Sequence, residues 1–169
     1  LYLIAILEEE NRNIYKGLKA CLESYDLYPE SGVIAWKAAS LLAILAFKEE
    51  SLFLYKRAIN LLPLSVDLRI GYIKLLYVYE KDDELVNELK GALSITKTVV
   101  ALREKSNELK ALFADFERFH TNTCYSQYDA KELTLNSWVE TLFLSLRANP
   151  EDTNLVLRII EIWHELGRI

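Results

Sequence analysis

Apolar residues recur at intervals of three and four along most of the chain, and this spacing restricts the fold more than any other feature of the sequence. Ile14, Leu18 and Cys21, for example, fall on one face of a helix. No segment shows the alternation with a period of two that marks a strand. The 5 glycines and 3 prolines among 169 residues are too few for a turn-rich β protein. The sequence therefore predicts an all-α fold.

Prolines, capping residues and polar joints indicate where the helices begin and end. We expect helices over about residues 1–10, 13–25, 33–47, 52–62, 66–80, 83–93, 97–119, 130–147 and 151–165. Ser31 and Ser65 are suited to N-cap positions, and Gly167 is suited to ending the last helix. The polar segment 120–128 is the longest expected loop. It is a candidate sub-boundary within a single segment that spans residues 1–169.

The predicted helices repeat with a period of about 34 residues, which is the length of a TPR-type unit. Pro29 and Pro63 lie one such period apart, and each precedes a helix. A further shift by the same period places Arg69 on Arg103, and Pro150 begins a later unit with the same order of proline and helix. Because one short helical hairpin cannot bury its apolar stripe alone, neighbouring hairpins are expected to stack. We therefore predict antiparallel helical-hairpin repeats arranged as a TPR-like α-solenoid.

Charge and cysteine content restrict the cellular setting. The net charge of −5 argues against a domain that binds nucleic acid by neutralising phosphates, so direct RNA binding is not expected. Cys21 and Cys124 form no dense disulfide framework, and the sequence has no Asn-x-Ser/Thr site, so we expect an intracellular protein. The most apolar run, residues 33–47, carries Lys37 and is too short to span a bilayer. The lack of methionine indicates either a fragment of a longer protein or omitted methionine residues.

Patterns that accompany enzyme chemistry are missing from the sequence. It contains no glycine-rich phosphate loop, no Gly-x-Ser-x-Gly and no His-Glu-x-x-His, so we expect neither an enzyme nor a cofactor. His120 and Cys124 would supply two metal ligands where zinc needs three or four, so no metal site is expected. His164, near Glu161 and Glu165, would suit a general base, but a histidine on an exposed helix face is the favoured interpretation.

One stretch, Tyr55 to Leu76, resembles the HAT ("half a TPR") repeat of RNA-processing proteins. The residues that carry the resemblance are Arg57-Ala58, Pro63, Asp67-Leu68 and Tyr72. Arg69 stands where the family usually has tryptophan. The resemblance covers about one repeat closely and extends to the rest of the chain as a pattern of prolines and helices.

The resemblance implies a non-catalytic scaffold that holds other proteins of a multi-subunit complex. The implied setting is a nuclear pre-mRNA or RNA-processing complex, with homo- or heterodimerisation as a further expectation. Two alternatives stay open. Residues 138–167 resemble the helical FAT region of kinases related to phosphatidylinositol 3-kinase, which would make the chain a regulatory segment of a large kinase. The second alternative is that the chain is a general TPR-type adaptor.

Candidate partner-binding residues come from the repeat and from the side chains that dominate protein interfaces. Tyrosine, tryptophan and arginine are enriched at the energetic centres of interfaces. Arg69, Tyr72 and Arg103 are therefore candidates. Since Arg69 and Arg103 are equivalent under the repeat, they would face one groove and hold an acidic or helical peptide. The alternative, which we favour for both arginines, is that they are solvated.

Overall fold

The computed structural model describes residues 13–98, 103–120 and 127–168, and helices joined by turns account for them without any strand. Within these ranges the helices are α1 Ile14–Leu27, α2 Gly32–Ile44, α3 Lys48–Leu61, α4 Val66–Val78, α5 Asp82–Thr98, α6 Arg103–His120, α7 Gln127–Ala148 and α8 Thr153–Glu165. The prediction of an all-α fold is confirmed. The expected first helix, and most of the expected loop 120–128 with its sub-boundary, lie outside the described residues.

Three predicted boundaries differ from the structure by four residues or more. Helix α3 begins at Lys48 instead of residue 52, so the polar segment 48–51, which was expected to be a joint, is helical. The helix expected over 83–93 runs from Asp82 to Thr98, and the next helix begins at Arg103 instead of residue 97. The buried stripe of α5 does not end at Ala92 but continues to Thr96, which is also buried. Tertiary packing therefore keeps the chain helical past the end that the sequence predicted at residue 93.

One structural element, which we call the turn–helix unit, occurs three times in the described part of the chain. Its copies span residues 28–47, 62–81 and 149–168, and each has proline at the second position. The N-cap residues Ser31, Ser65 and Asp152 follow at the same offset. Each copy then contains a helix of 13 residues, namely α2, α4 and α8. The second copy begins one repeat period after the first, as the sequence predicts.

Hydrogen bonds at the entrance of the three units are also equivalent. The amide N–H of the first residue in each unit donates to the carbonyl oxygen four residues earlier. The three bonds are Tyr28 to Ser24 at 2.9 Å, Leu62 to Ala58 at 2.8 Å and Asn149 to Ser145 at 3.1 Å. The preceding helix therefore ends in the same way each time, and the proline that follows does not continue it.

The exits of the three units share a left-handed residue. Ala46, Glu80 and Gly167 have φ angles of 67°, 55° and 65°. The next amide N–H in each unit donates to the carbonyl oxygen five residues earlier, at 2.9, 3.0 and 2.9 Å. This is the Schellman arrangement, which satisfies carbonyl groups at a helix end. It explains why α2 and α4 stop at Ile44 and Val78, two or three residues before the boundaries expected from the sequence.

Contacts divide the chain into two compact units. Unit A comprises residues 1–62 and 135–169, and unit B comprises residues 63–134. In unit A, α2 packs against both α1 and α3. The amide of Ile14 donates to Ser145 Oγ at 3.1 Å, and Arg158 Nε donates to the carbonyl oxygen of Ile44 at 3.1 Å. A strictly linear repeat array has contacts only between adjacent repeats, so these two bonds add a feature that the repeat did not predict.

Unit B has its own core of helices α4, α5 and α6. Helix α5 packs against both of the others, and α4 also contacts α6. The residues of this core that are completely buried are Leu68, Leu76, Leu85, Leu89, Ala92 and Leu109. On its surface, Lys74 Nζ lies 2.9 Å from Glu108 Oε1, and Lys105 Nζ lies 2.6 Å from Asp67 Oδ1. No helix in the described part of either unit is long and apolar enough to cross a membrane.

Candidate protein-docking groove

Arg69, the first predicted binding residue, is held inside unit B. Its Nη1 lies 2.6 Å from Glu88 Oε2, and its Nε donates to the carbonyl oxygen of Pro63 at 3.2 Å. The side chain is 14% exposed. Arg69 therefore links α4 to α5 and to the turn before α4. Its side chain is neither solvated nor freely presented to a partner.

Tyr72, the second predicted residue, belongs to the core. It is 1% exposed. Burial is the main cause that raises the pKa of the Tyr72 hydroxyl, with the negative charges of Glu84 and Glu88 adding to it. In this conformation a partner does not reach the ring.

Arg103, the third predicted residue, is the first residue of α6, and its side chain lies outside the described part of the chain. Its expected alignment with Arg69 in one groove stays a prediction. Cys124 also lies outside the described residues, so the structure does not describe the pair of His120 and Cys124. Within residues 13–98, 103–120 and 127–168, no group of three metal-ligating side chains comes together. Glu161 is paired with Arg158, whose Nη1 lies 3.0 Å from its carboxylate.

An open apolar groove in unit A has the features of a docking site. Its volume is about 440 Å³. Helix α1 contributes Leu22 and Tyr25, α2 contributes Leu42, and α3 contributes Glu49, Glu50, Phe53 and Leu54. These side chains converge because α1 and α3 both pack against α2. A groove of this size falls within the usual range of ligand pockets, about 300–1,000 Å³.

The exposed side chains that line the groove are of two kinds, apolar and acidic. Phe53 is 66% exposed and Leu22 is 37% exposed. Glu49 and Glu50 lie in the first turn of α3 and are exposed to solvent. Their carboxylates are favoured there by the positive end of the helix dipole. None of the described residues that line the groove is basic.

The sequence reasoning did not identify the groove, although Phe53 carried a signal. Leu52, Tyr55 and Ile59 form the buried stripe of α3. Phe53 lies on the opposite face, among charged and amide side chains. An aromatic residue out of phase with the apolar stripe of its helix indicates an interaction surface.

No protein-family model and no curated protein sequence matches the chain. Function is therefore inferred from the groove and from the repeated turn–helix unit.

Proposed function

We propose that this chain is a non-catalytic docking module of the helical-repeat class, which holds a segment of another protein in the groove of unit A. The observation that carries the proposal is the exposed Phe53 in an apolar groove edged by Glu49 and Glu50. Interfaces gain most of their free energy from aromatic side chains packed in such depressions. The three turn–helix units support the proposal that the helices forming the groove belong to a TPR-like helical-hairpin array.

The chemistry of the groove selects one kind of occupant. Apolar walls favour leucine, isoleucine, methionine or phenylalanine as the anchor side chain. The two carboxylates favour lysine or arginine close to that anchor, since opposite charges attract and like charges repel across an interface. The proposed ligand is therefore an amphipathic protein segment that combines apolar anchors with basic residues.

The resemblance to HAT repeats supplies the proposed setting. It supports a component of a nuclear RNA-processing assembly that works through protein–protein contacts. A net charge of −5 and an acidic groove also favour basic proteins as partners, because they bring opposite charge to the surface. Direct binding to RNA is not part of the proposal.

The test uses an amphipathic leucine–lysine peptide of about 15 residues and its leucine–glutamate counterpart. We expect saturable binding of the basic peptide and weak or no binding of the acidic one. Phe53→Ala should weaken binding of the basic peptide about tenfold, equivalent to ~1.4 kcal/mol. Glu49→Gln combined with Glu50→Gln should weaken it at low salt, and this effect should shrink as salt screens the carboxylates.

A matched control separates the groove from general attraction to an acidic protein. Glu140→Gln combined with Glu151→Gln removes the same charge at exposed positions that do not line the groove. This variant should bind the basic peptide within about twofold of the original chain. Equal losses in the two double variants, or unchanged binding in Phe53→Ala, would rule out the groove as the docking site.

A further inference from the structure

Two aromatic rings and two carboxylates line the groove of unit A together. Glu49 and Glu50 precede Phe53 by four and three residues, so the three side chains are neighbours on one face of α3. Tyr25 of α1 lines the same groove and is half-buried, whereas Phe53 is 66% exposed. The groove therefore presents aromatic surface and negative charge to the same part of a ligand.

The negative charge of the two carboxylates is not neutralised within the described part of the chain. Glu49 and Glu50 are exposed to solvent, and no salt bridge joins either of them to a described basic side chain. Opposite charges are favoured across an interface, so a ligand that fills the groove gains most when it brings a cation to these carboxylates.

The rest of the groove is apolar, and this restricts the kind of cation. Leu42 and Leu54 line the groove and are each 6% exposed. An ordinary lysine ammonium is compact and strongly hydrated, and contact with leucine side chains removes water without replacing its hydrogen bonds. Methylation keeps the positive charge. A trimethylated ammonium has no N–H to satisfy and presents methyl groups to the apolar side chains, so it suits both halves of the lining.

We propose that the groove recognises a trimethylated lysine of its protein ligand, with the quaternary ammonium group against the rings of Phe53 and Tyr25 and near the carboxylates of Glu49 and Glu50. Aromatic rings attract a cation that lies within about 6 Å of the ring centroid. Residues three and four apart on a helix have Cβ atoms about 5–6 Å apart, so a cation on Phe53 is also close to both carboxylates. The inference rests on the proposed function, because it names the group that the docked segment places in the groove.

Arginine also stacks on aromatic rings, but it fits this groove less well. Its guanidinium carries several N–H donors in a fixed plane. The described polar side chains that line the groove are those of Tyr25, Glu49 and Glu50, and the others are apolar. Donors that face leucine side chains are left without acceptors, which costs free energy.

The size of the groove favours a protein segment over a free small cation. Its volume of about 440 Å³ lies in the range of drug-sized ligands, which are much larger than one ammonium group. Leu22 also lines the groove and is 37% exposed, so it provides apolar surface for a residue next to the methylated lysine. A peptide fills more of the groove than choline, which carries the same cation alone.

The probe is the leucine–lysine peptide with its central lysine trimethylated. Its controls are the unmethylated peptide and a neutral isostere in which carbon replaces the quaternary nitrogen. We expect the trimethylated peptide to bind at least about fivefold more tightly than either control, as measured by calorimetry. Choline should bind far more weakly than the trimethylated peptide.

Variants of the chain separate attraction to the ring faces from simple apolar contact. Phe53→Leu keeps an apolar side chain but removes the ring, so the preference for the trimethylated peptide should fall to about twofold or less. Tyr25→Leu should reduce the preference and Tyr25→Phe should retain it. The variant that combines Glu140→Gln with Glu151→Gln should also retain it, since neither residue lines the groove. Circular dichroism confirms that each variant is folded.

Four results would overturn the inference. Equal binding of the trimethylated and unmethylated peptides would show that the groove does not select methylation. Equal binding of the trimethylated peptide and its isostere would show that it selects apolar bulk. A preference that survives in Phe53→Leu would place the cation elsewhere, and choline binding as tightly as the peptide would make a small molecule the occupant.

Failure of this inference is distinguishable from failure of the proposed function. If methylation has no effect but Phe53→Ala still weakens binding of the unmethylated peptide, the groove is a docking site that does not recognise trimethylated lysine. If neither peptide binds, both the docking function and the recognition of trimethylated lysine are wrong.

Discussion

Ala46 and Glu80 lie one repeat period apart, and both hold a left-handed backbone conformation, with φ angles of 67° and 55°. The amide N–H of the residue after each donates to a carbonyl oxygen five residues earlier. Neither residue is glycine, although this conformation costs other residues about 1 kcal/mol or more. The left-handed turn after each helix is therefore maintained against the local preference of both residues.

The first prediction concerns this strained position. Ala46→Gly should raise the free energy of unfolding by about 1 kcal/mol, because glycine adopts the left-handed conformation without a Cβ clash. Urea denaturation followed by circular dichroism measures the change. The control is Ala111→Gly, at an exposed helical position, which should lower the free energy of unfolding by about the same amount. Destabilisation by both changes would contradict the left-handed assignment of Ala46.

The second prediction concerns the ion pair between Arg69 and Glu88, whose side chains are 14% and 24% exposed. Arg69→Ala should lower the free energy of unfolding by about 2 kcal/mol, because it leaves a partly buried carboxylate without its charged hydrogen bond. A double-mutant cycle with Glu88→Ala measures the coupling between the two side chains. A coupling energy of zero would show that the contact does not stabilise unit B.

The third prediction concerns Tyr72 at alkaline pH. Burial, with the charges of Glu84 and Glu88, raises the pKa of its hydroxyl above the ordinary value of 10.0. The neutral phenol is therefore favoured in the folded state, and its contribution to stability is complete below about pH 10 and lost as pH rises further. Unfolding should become easier above about pH 10, and Tyr72→Phe should reduce that pH dependence. Identical alkaline profiles for the two proteins would contradict the prediction.

The fourth prediction concerns the thiol of Cys21, which is 0% exposed. Burial raises the pKa of this thiol to about 11, although the charge of Lys37 opposes the shift. In a Cys124→Ser variant, a thiol reagent at about pH 8 should label Cys21 only as fast as the protein opens, because the reactive thiolate is both rare and inaccessible. Labelling in urea should be rapid. Rapid labelling without urea would contradict the burial of Cys21.

Local signals in the sequence predicted the all-α fold and several helix ends. Ser65 was expected to cap α4, and its Oγ accepts a hydrogen bond from the amide of Leu68 at 3.4 Å. Gly167 was expected to end α8, and it has the left-handed conformation that suits glycine. Caps, prolines and helical spacing act within a few residues, so sequence alone reveals them.

The candidate site depended on contacts between distant residues and could not be predicted in the same way. Arg69 was expected to be solvated or in a groove, but Glu88, in the following helix, determines its position. Tyr72 matched the pattern of a binding residue and lies in the core of unit B. Phe53 was not singled out from the sequence, although it is out of phase with the buried stripe of α3, and the packing of α1 and α3 on α2 shows that it lines a groove.

The most direct test of the proposed function compares the proteins that co-purify with this chain and with its Phe53→Ala variant, with and without RNase. We predict that RNA-processing proteins co-purify with the unaltered chain, survive RNase, and are lost from Phe53→Ala but retained by the variant that combines Glu140→Gln with Glu151→Gln. The same proteins in equal amounts with Phe53→Ala, or none of them with the unaltered chain, would contradict a protein-docking role for the groove.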